Sequence, residues 1–107
     1  MERTVARMRL EVSATQEEVV FGVSGIMKKT DGMDLAGQIQ HYSRIHPKKL
    51  TLDFTNLASL SSDSVPFVVA ALEQSGVGKY NIHALGCNPA VGRTLQDNEF
   101  ERVGMIG

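Results

Sequence analysis

Met8, Leu10 and Val12 alternate with polar neighbours, and Val19, Phe21 and Val23 repeat the alternation beyond a polar turn at Ala14–Glu17. Successive strand side chains point to opposite faces, so both stretches read as strands with one apolar face, joined as a hairpin. Gly25 is expected to end the second strand, with Lys28–Gly32 as a polar loop after it. Leu35, Ile39, Tyr42 and Ile45 then recur every three or four residues, the stripe of an amphipathic helix over about Asp34–Ile45. Asp31 and Asp34 offer carboxylates to its first free amides, and Pro47 closes it. Alternation returns at Leu50, Leu52 and Phe54, a third strand.

The next stretch, LSSDSVPFVVAAL (Leu60–Leu72), sets four polar residues, three of them serines, ahead of eight consecutive apolar ones. Its β-branched residues suit a strand, but Pro66 would remove a ladder donor from the middle. In a helix starting near Ser62 the same proline falls in the first turn, where its missing amide hydrogen costs little. Ser62 is the expected N-cap, worth about 1 kcal/mol. Eight apolar residues in a row cannot all lie on one stripe. Either the helix is covered on several sides, or part of it stays exposed as a partner surface.

Ser75, Gly76 and Gly78 stop this helix, and Tyr80–Leu85 form a fourth strand. Asn88 followed by Pro89 is a cap with proline at the first helical position, opening a short helix marked by Val91 and Leu95. Val103–Ile106 supply a last edge strand or a terminal packing segment. The order β, β, α, β, α, β, α demands parallel neighbours joined by right-handed crossovers, with the hairpin adding an antiparallel edge. The expected fold class is α/β, a mixed sheet of four to five strands with helices packed mainly on one side.

Composition narrows the function. The 107 residues show no repeat or linker-like break and read as one domain over 1–107. Eleven basic and twelve acidic residues, net −1, include no basic run able to neutralise several phosphates, so nucleic acid is excluded as a partner. No apolar stretch approaches the roughly 20 residues that span a bilayer, so no direct membrane insertion is expected. Met1–Leu10, with three arginines and a glutamate, lacks the apolar block of a secretory signal. A cytoplasmic protein follows. Gly76, Gly78 and Lys79 lack the spacing of a phosphate-binding loop, and His41, His46 and His83 are scattered rather than set at metal-ligand intervals. No metal or cofactor is expected. Cys87 lies just before the third helix, where a helix N-terminus can lower a thiol pKa, but no base can be assigned to it. Asp53 sits on the outer phase of the third strand, near its expected end, suited to orient a loop. These residues assemble no enzyme.

The segments VVFGVSGIMKK, LTLDFTNLASLSSDSVPFVVAAL and YNIHALGCNPAVGRTLQDNEFERVGMI together resemble the STAS domain, the module of bacterial anti-sigma-factor antagonists and of the cytoplasmic tails of sulfate transporters. The resemblance covers about Met8–Ile106. Its most specific parts are the strand ending in Asp53 with Ser62 nine residues later at a helix start, and the NPAVGRTL helix followed by NEFERV. It implies a partner-switching protein. Antagonists of this type bind an anti-sigma factor that is also a serine kinase, and release it when phosphorylated at the start of helix two. That serine falls on Ser62, the phosphoacceptor candidate. The implied partner surface is Lys28, Lys29 and Thr30 from the adjoining loop with Ser61, Ser62, Asp63, Ser64, Val65 and Phe67. Ser61 and Lys28 stand where such antagonists carry acidic residues, Asp63 where they carry a second hydroxyl, and Ser64 where they carry glycine. A scaffold subunit of a sensory or lipid- or anion-transport complex, with no phosphorylation switch, is the alternative. Homodimerisation stays open.

Overall fold

The computed structural model describes residues 7–107. Residues 1–6, which belong both to the 1–107 domain expectation and to the arginine-bearing Met1–Leu10 segment, lie outside them. The elements are β1 (Arg9–Ala14), β2 (Glu18–Met27), α1 (Lys29–Ser43), β3 (Lys49–Leu60), a 3-10 turn (Ser62–Ser64), α2 (Val65–Gln74), β4 (Ile82–Leu85), α3 (Pro89–Asp97) and β5 (Met105–Ile106). Strand order in the sheet is β1-β2-β3-β4-β5. β1 runs antiparallel to β2, and every later neighbour is parallel.

That sequential order decides where the helices lie. Parallel neighbours are joined by right-handed crossovers as a rule, and because β2, β3, β4 and β5 succeed one another in one direction, that rule puts every crossover helix on the same face. Val19, Phe21 and Val23 of β2, Leu50 and Leu52 of β3, and Ile82 and Ala84 of β4 share one phase of the registered strands, and all are buried. They merge with Leu35 and Ile39 of α1, Leu72 of α2 and Leu95 of α3 into one core. The opposite face carries the other phase, including Glu11, Thr51, Asp53 and His83, and has no helix over it among the described residues. The expected mixed sheet with helices on one side is the architecture found.

Several boundaries differ, each for a local reason. β2 does not stop at Gly25: it continues to Met27, with Gly25 at φ 84 in the left-handed region that glycine tolerates. β3 is twelve residues long and reaches Leu60, so Asp53 lies well inside it rather than near its end. Between Gly22 and Ser24, and again between Gly25 and Ile26, the register slips, each time leaving an extra residue on β3. Phe54, Leu57 and Leu60 are therefore buried at intervals of three, a spacing that hides a strand from a search for strict alternation. α1 begins at Lys29, not Asp34. The supposed loop Lys28–Gly32 is its first turn, closed by Gly32 N–H donating to Lys28 O at 2.9 Å and Lys28 N–H donating to Asp31 Oδ2 at 2.9 Å. Ile45 falls beyond the helix and is 48% exposed. Tyr80 belongs to a 3-10 turn before β4 rather than to the strand itself.

Candidate functional site

β2 and β3 end together. Met27 pairs with Leu60, and Ser61 N–H donates to Met27 O at 2.9 Å, so Lys28–Thr30 and Ser61–Ser64 leave the sheet side by side. The two corners are held by a close helix approach. A Cβ built on Gly32 of α1 would lie 2.7 Å from Ser64 Cβ and 2.7 Å from Ser64 O, so only glycine lets α1 come this near. Lys28, Lys29, Thr30, Ser62 and Asp63 are all exposed in this corner, Ser61 is half-buried, and Phe67 is half-buried one turn further on.

The serines do not cap as the sequence suggests. Ser62 is not an N-cap; it lies inside the 3-10 turn that precedes α2, and α2 proper starts at Val65 with Pro66 in its first turn. Neither Ser61 nor Ser64, which precede the 3-10 turn and α2, accepts a capping bond through its side chain. Ser64 Oγ instead donates to Ser61 O at 2.6 Å, beside the Ser64 N–H bond to the same carbonyl at 3.1 Å. This tightens the turn and uses one hydroxyl entirely within it. Ser64 and Val65 are both 0% exposed, packed under α1 and into the core, so neither can touch a partner; in this the expected surface is corrected. Ser62 is exposed at a helix start, where free amides and the helix dipole favour added negative charge.

α2 answers the question of its apolar run. Val65, Val68, Val69, Ala71 and Leu72 are buried, while Pro66 and Ala70 are exposed, so the helix keeps an uncovered ridge. Two hollows flank it. One of about 410 Å³, toward α1, is lined by Met33, Ala36, Gly37, Gln40, Pro66, Phe67 and Ala70. The other, about 300 Å³, is lined by Pro66, Val69, Ala70, Glu73, Asp97, Asn98, Glu99 and Arg102. Sequence reasoning named Phe67 here but missed the α1 wall. Its signal is the second helical row Met33, Ala36/Gly37, Gln40 beside the Leu35–Ile39 stripe.

The other candidates stay apart from this corner. Asp53 Oδ1 accepts from Thr55 N–H at 3.1 Å and Thr55 Oγ1–H at 2.6 Å, and the Thr55 side-chain bond in particular holds its pKa below the usual carboxylate value. Burial pushes the Cys87 thiol pKa up, the opposite direction from activation at the start of α3. His41 meets Tyr42 edge-on at 5.0 Å, His83 Nε2 lies 3.0 Å from Tyr80 O, and His46 sits in a loop at φ 54. No group of three or more potential metal-binding side chains occurs among the described residues. Nor is any helix among them long and apolar enough to cross a membrane.

The fold has known counterparts. The anti-sigma factor antagonist SpoIIAA in its unphosphorylated form superposes with a TM-score of 0.71 at 19% identity, over 94% of this chain and 88% of that one. The phosphorylated Bacillus SpoIIAA gives 0.64 at 17% identity, over 94% and 91%. An anti-sigma factor antagonist from Mycobacterium paratuberculosis gives 0.73 at 19%, over 94% and 85%. An antagonist STAS domain from Rhodobacter sphaeroides gives 0.54 at 15%, over 80% and 91%. No family model and no curated protein matches the chain. The chain has the SpoIIAA/STAS fold.

Proposed function

We propose that the chain is a non-enzymatic protein-interaction module of the anti-sigma-factor antagonist type, acting in the cytoplasm by partner switching with a serine-kinase anti-sigma factor. The observation that carries this reading is the Ser62 hydroxyl. It is exposed and outside the capping positions, at the start of a helix whose exposed ridge and flanking hollows suit a protein partner. The likeness to SpoIIAA, solved in both unphosphorylated and phosphorylated forms, supports reading this fold as one that can carry a phosphorylation switch. A phosphate there would bring about −1.5 to −2 charges to a helix N-terminus, which the fold accommodates, and to a docked apolar surface, which resists it.

The test is to isolate the protein from its own cells and map phosphopeptides. One phosphate on Ser62, lost in Ser62→Ala, and co-purification of a serine kinase only with the unphosphorylated form are expected. Labelling that persists in Ser62→Ala overturns the assignment. A second reading keeps the module and drops the switch. Ser64 is consumed in the turn and the Ser61 hydroxyl oxygen is buried without a hydrogen-bond partner among the described residues, so two of the three serines are withdrawn from the surface. Recovery of unmodified protein with transport or sensory subunits would favour that scaffold role.

A further inference from the structure

The ridge of α2 separates two hollows of opposite character. Toward α1 the wall is apolar: Met33 is 47% exposed, and Ala36, Phe67 and Ala70 complete it. On the other flank the hollow carries Glu73, Asp97 and Glu99 against one cation, Arg102. Arg102 is already shared, its Nη1 lying 3.1 Å from Glu73 and its Nε 3.7 Å from Glu99, and Asp97 makes no salt bridge among the described residues. The flank is therefore net negative. The ridge is low over its first turns, because the exposed side chains there, Pro66 and Ala70, one helical turn apart, are small. A second helix can approach such a ridge closely, and α2, about 15 Å long, offers room for three turns of contact.

We propose that this face docks an amphipathic partner helix whose apolar stripe fills the α1–α2 hollow and whose lysine or arginine side chains reach Asp97, Glu99 and Glu73. The apolar wall supplies burial, and the acidic flank fixes the partner's charge and its rotation about its own axis. The proposal deepens the functional reading above, resting on α2 as the docking face, and does not need Ser62 to be phosphorylated.

Two synthetic helical peptides test it. Both carry the same leucine stripe, one with lysines along its flank and the other with glutamates in the same places. In titrations of the full chain followed by backbone NMR, the lysine peptide should shift the amides of Met33, Phe67, Ala70 and Asp97 and bind about tenfold more tightly than the glutamate peptide. Glu73→Lys/Asp97→Lys should reverse the preference, and Ala70→Glu should weaken both peptides, with thermal unfolding checking that each variant folds. Should a variant fail to fold, the wild-type chain still decides by shift map and peptide preference. Equal binding of the two peptides, shifts confined to the helix-free sheet face, or self-association through this ridge would overturn the proposal. Ser62 phosphorylation with a kinase cross-linked elsewhere would overturn this inference and leave the switch standing. Lysine-peptide docking without any Ser62 phosphate would do the reverse.

Discussion

α2 and α3 each follow a polar residue and carry a proline in the first turn, yet they are built differently. At α3 both polar atoms of the Asn88 side chain are used: Oδ1 accepts from Val91 N–H at 2.8 Å, and Nδ2 donates to Leu57 O and Ala58 O at 3.3 and 3.1 Å. One side chain thus caps a helix and ties it to the end of β3. At α2, three serines and an aspartate precede the proline, and none of them caps. The start is held instead by backbone, by Ser64 folded back on Ser61 O and by the close approach of Gly32. The difference separates polar residues that the fold consumes from polar residues that it leaves free. Ser62 and Asp63 are in the second group.

The largest effect should come from the support that α2 has in place of a cap. Gly32→Val drives a branched side chain into Ser64 backbone that cannot yield, and should cost about 3 kcal/mol, the upper end for overpacking. Chemical denaturation measures it; a cost below about 1 kcal/mol would mean that the α1–α2 approach is slack. Next comes the cap of α3. Asn88→Ala should cost about 2 kcal/mol, since it loses the cap and both amide bonds. Asn88→Asp keeps the capping oxygen but turns the amide donors into an acceptor facing two carbonyls, so it should recover only part of that loss. Full recovery would show that the tie to β3 contributes nothing.

How much of this could be read from the sequence follows the same division. The α3 start was legible because Asn88 and Pro89 are a local signal whose partner, Val91, is three residues away. The mixed sheet with its antiparallel hairpin edge was legible because crossover handedness and alternation are general. The α1 start was not: its first turn, Lys29–Gly32, is polar, and its stripe begins only at Leu35. The far half of β3 was hidden by two bulges that break alternation. At the α2 corner the local pattern points to roles that the fold does not assign. Ser62 was expected to cap, whereas burial of Ser64 and Val65 depends on Gly32, thirty-odd positions away, and no local pattern announces that contact.

Ser64→Ala measures how much the turn depends on its hydroxyl. The Ser61 carbonyl keeps its bond from Ser64 N–H, so no acceptor is orphaned, and the expected cost is about 1 kcal/mol. Asp53 is a smaller case of a polar group consumed locally. Its folded-state pKa lies below the unfolded value because its charged form accepts two bonds from Thr55. Its contribution is therefore present above the unfolded pKa of about 3.9 and is lost as pH falls through the lower folded value. An NMR titration midpoint below that of an ordinary aspartate, together with a shallower acid limb of the stability profile in Asp53→Asn, is the expected result.

The smallest effect on folding belongs to Ser62, and its smallness is what the comparison turns on. A hydroxyl outside the capping positions and exposed to water should tolerate both Ser62→Ala and Ser62→Glu within about 0.5 kcal/mol, against several times that for Asn88→Ala. The glutamate adds charge where the helix dipole favours it, so any shift should be slightly stabilising and should shrink with salt. Partner binding should part company with stability: Ser62→Ala retains the partner and Ser62→Glu loses it, with both proteins equally folded. A Ser62→Ala cost equal to that of Asn88→Ala would make the hydroxyl a structural cap after all, and the two helix starts would then differ only in detail.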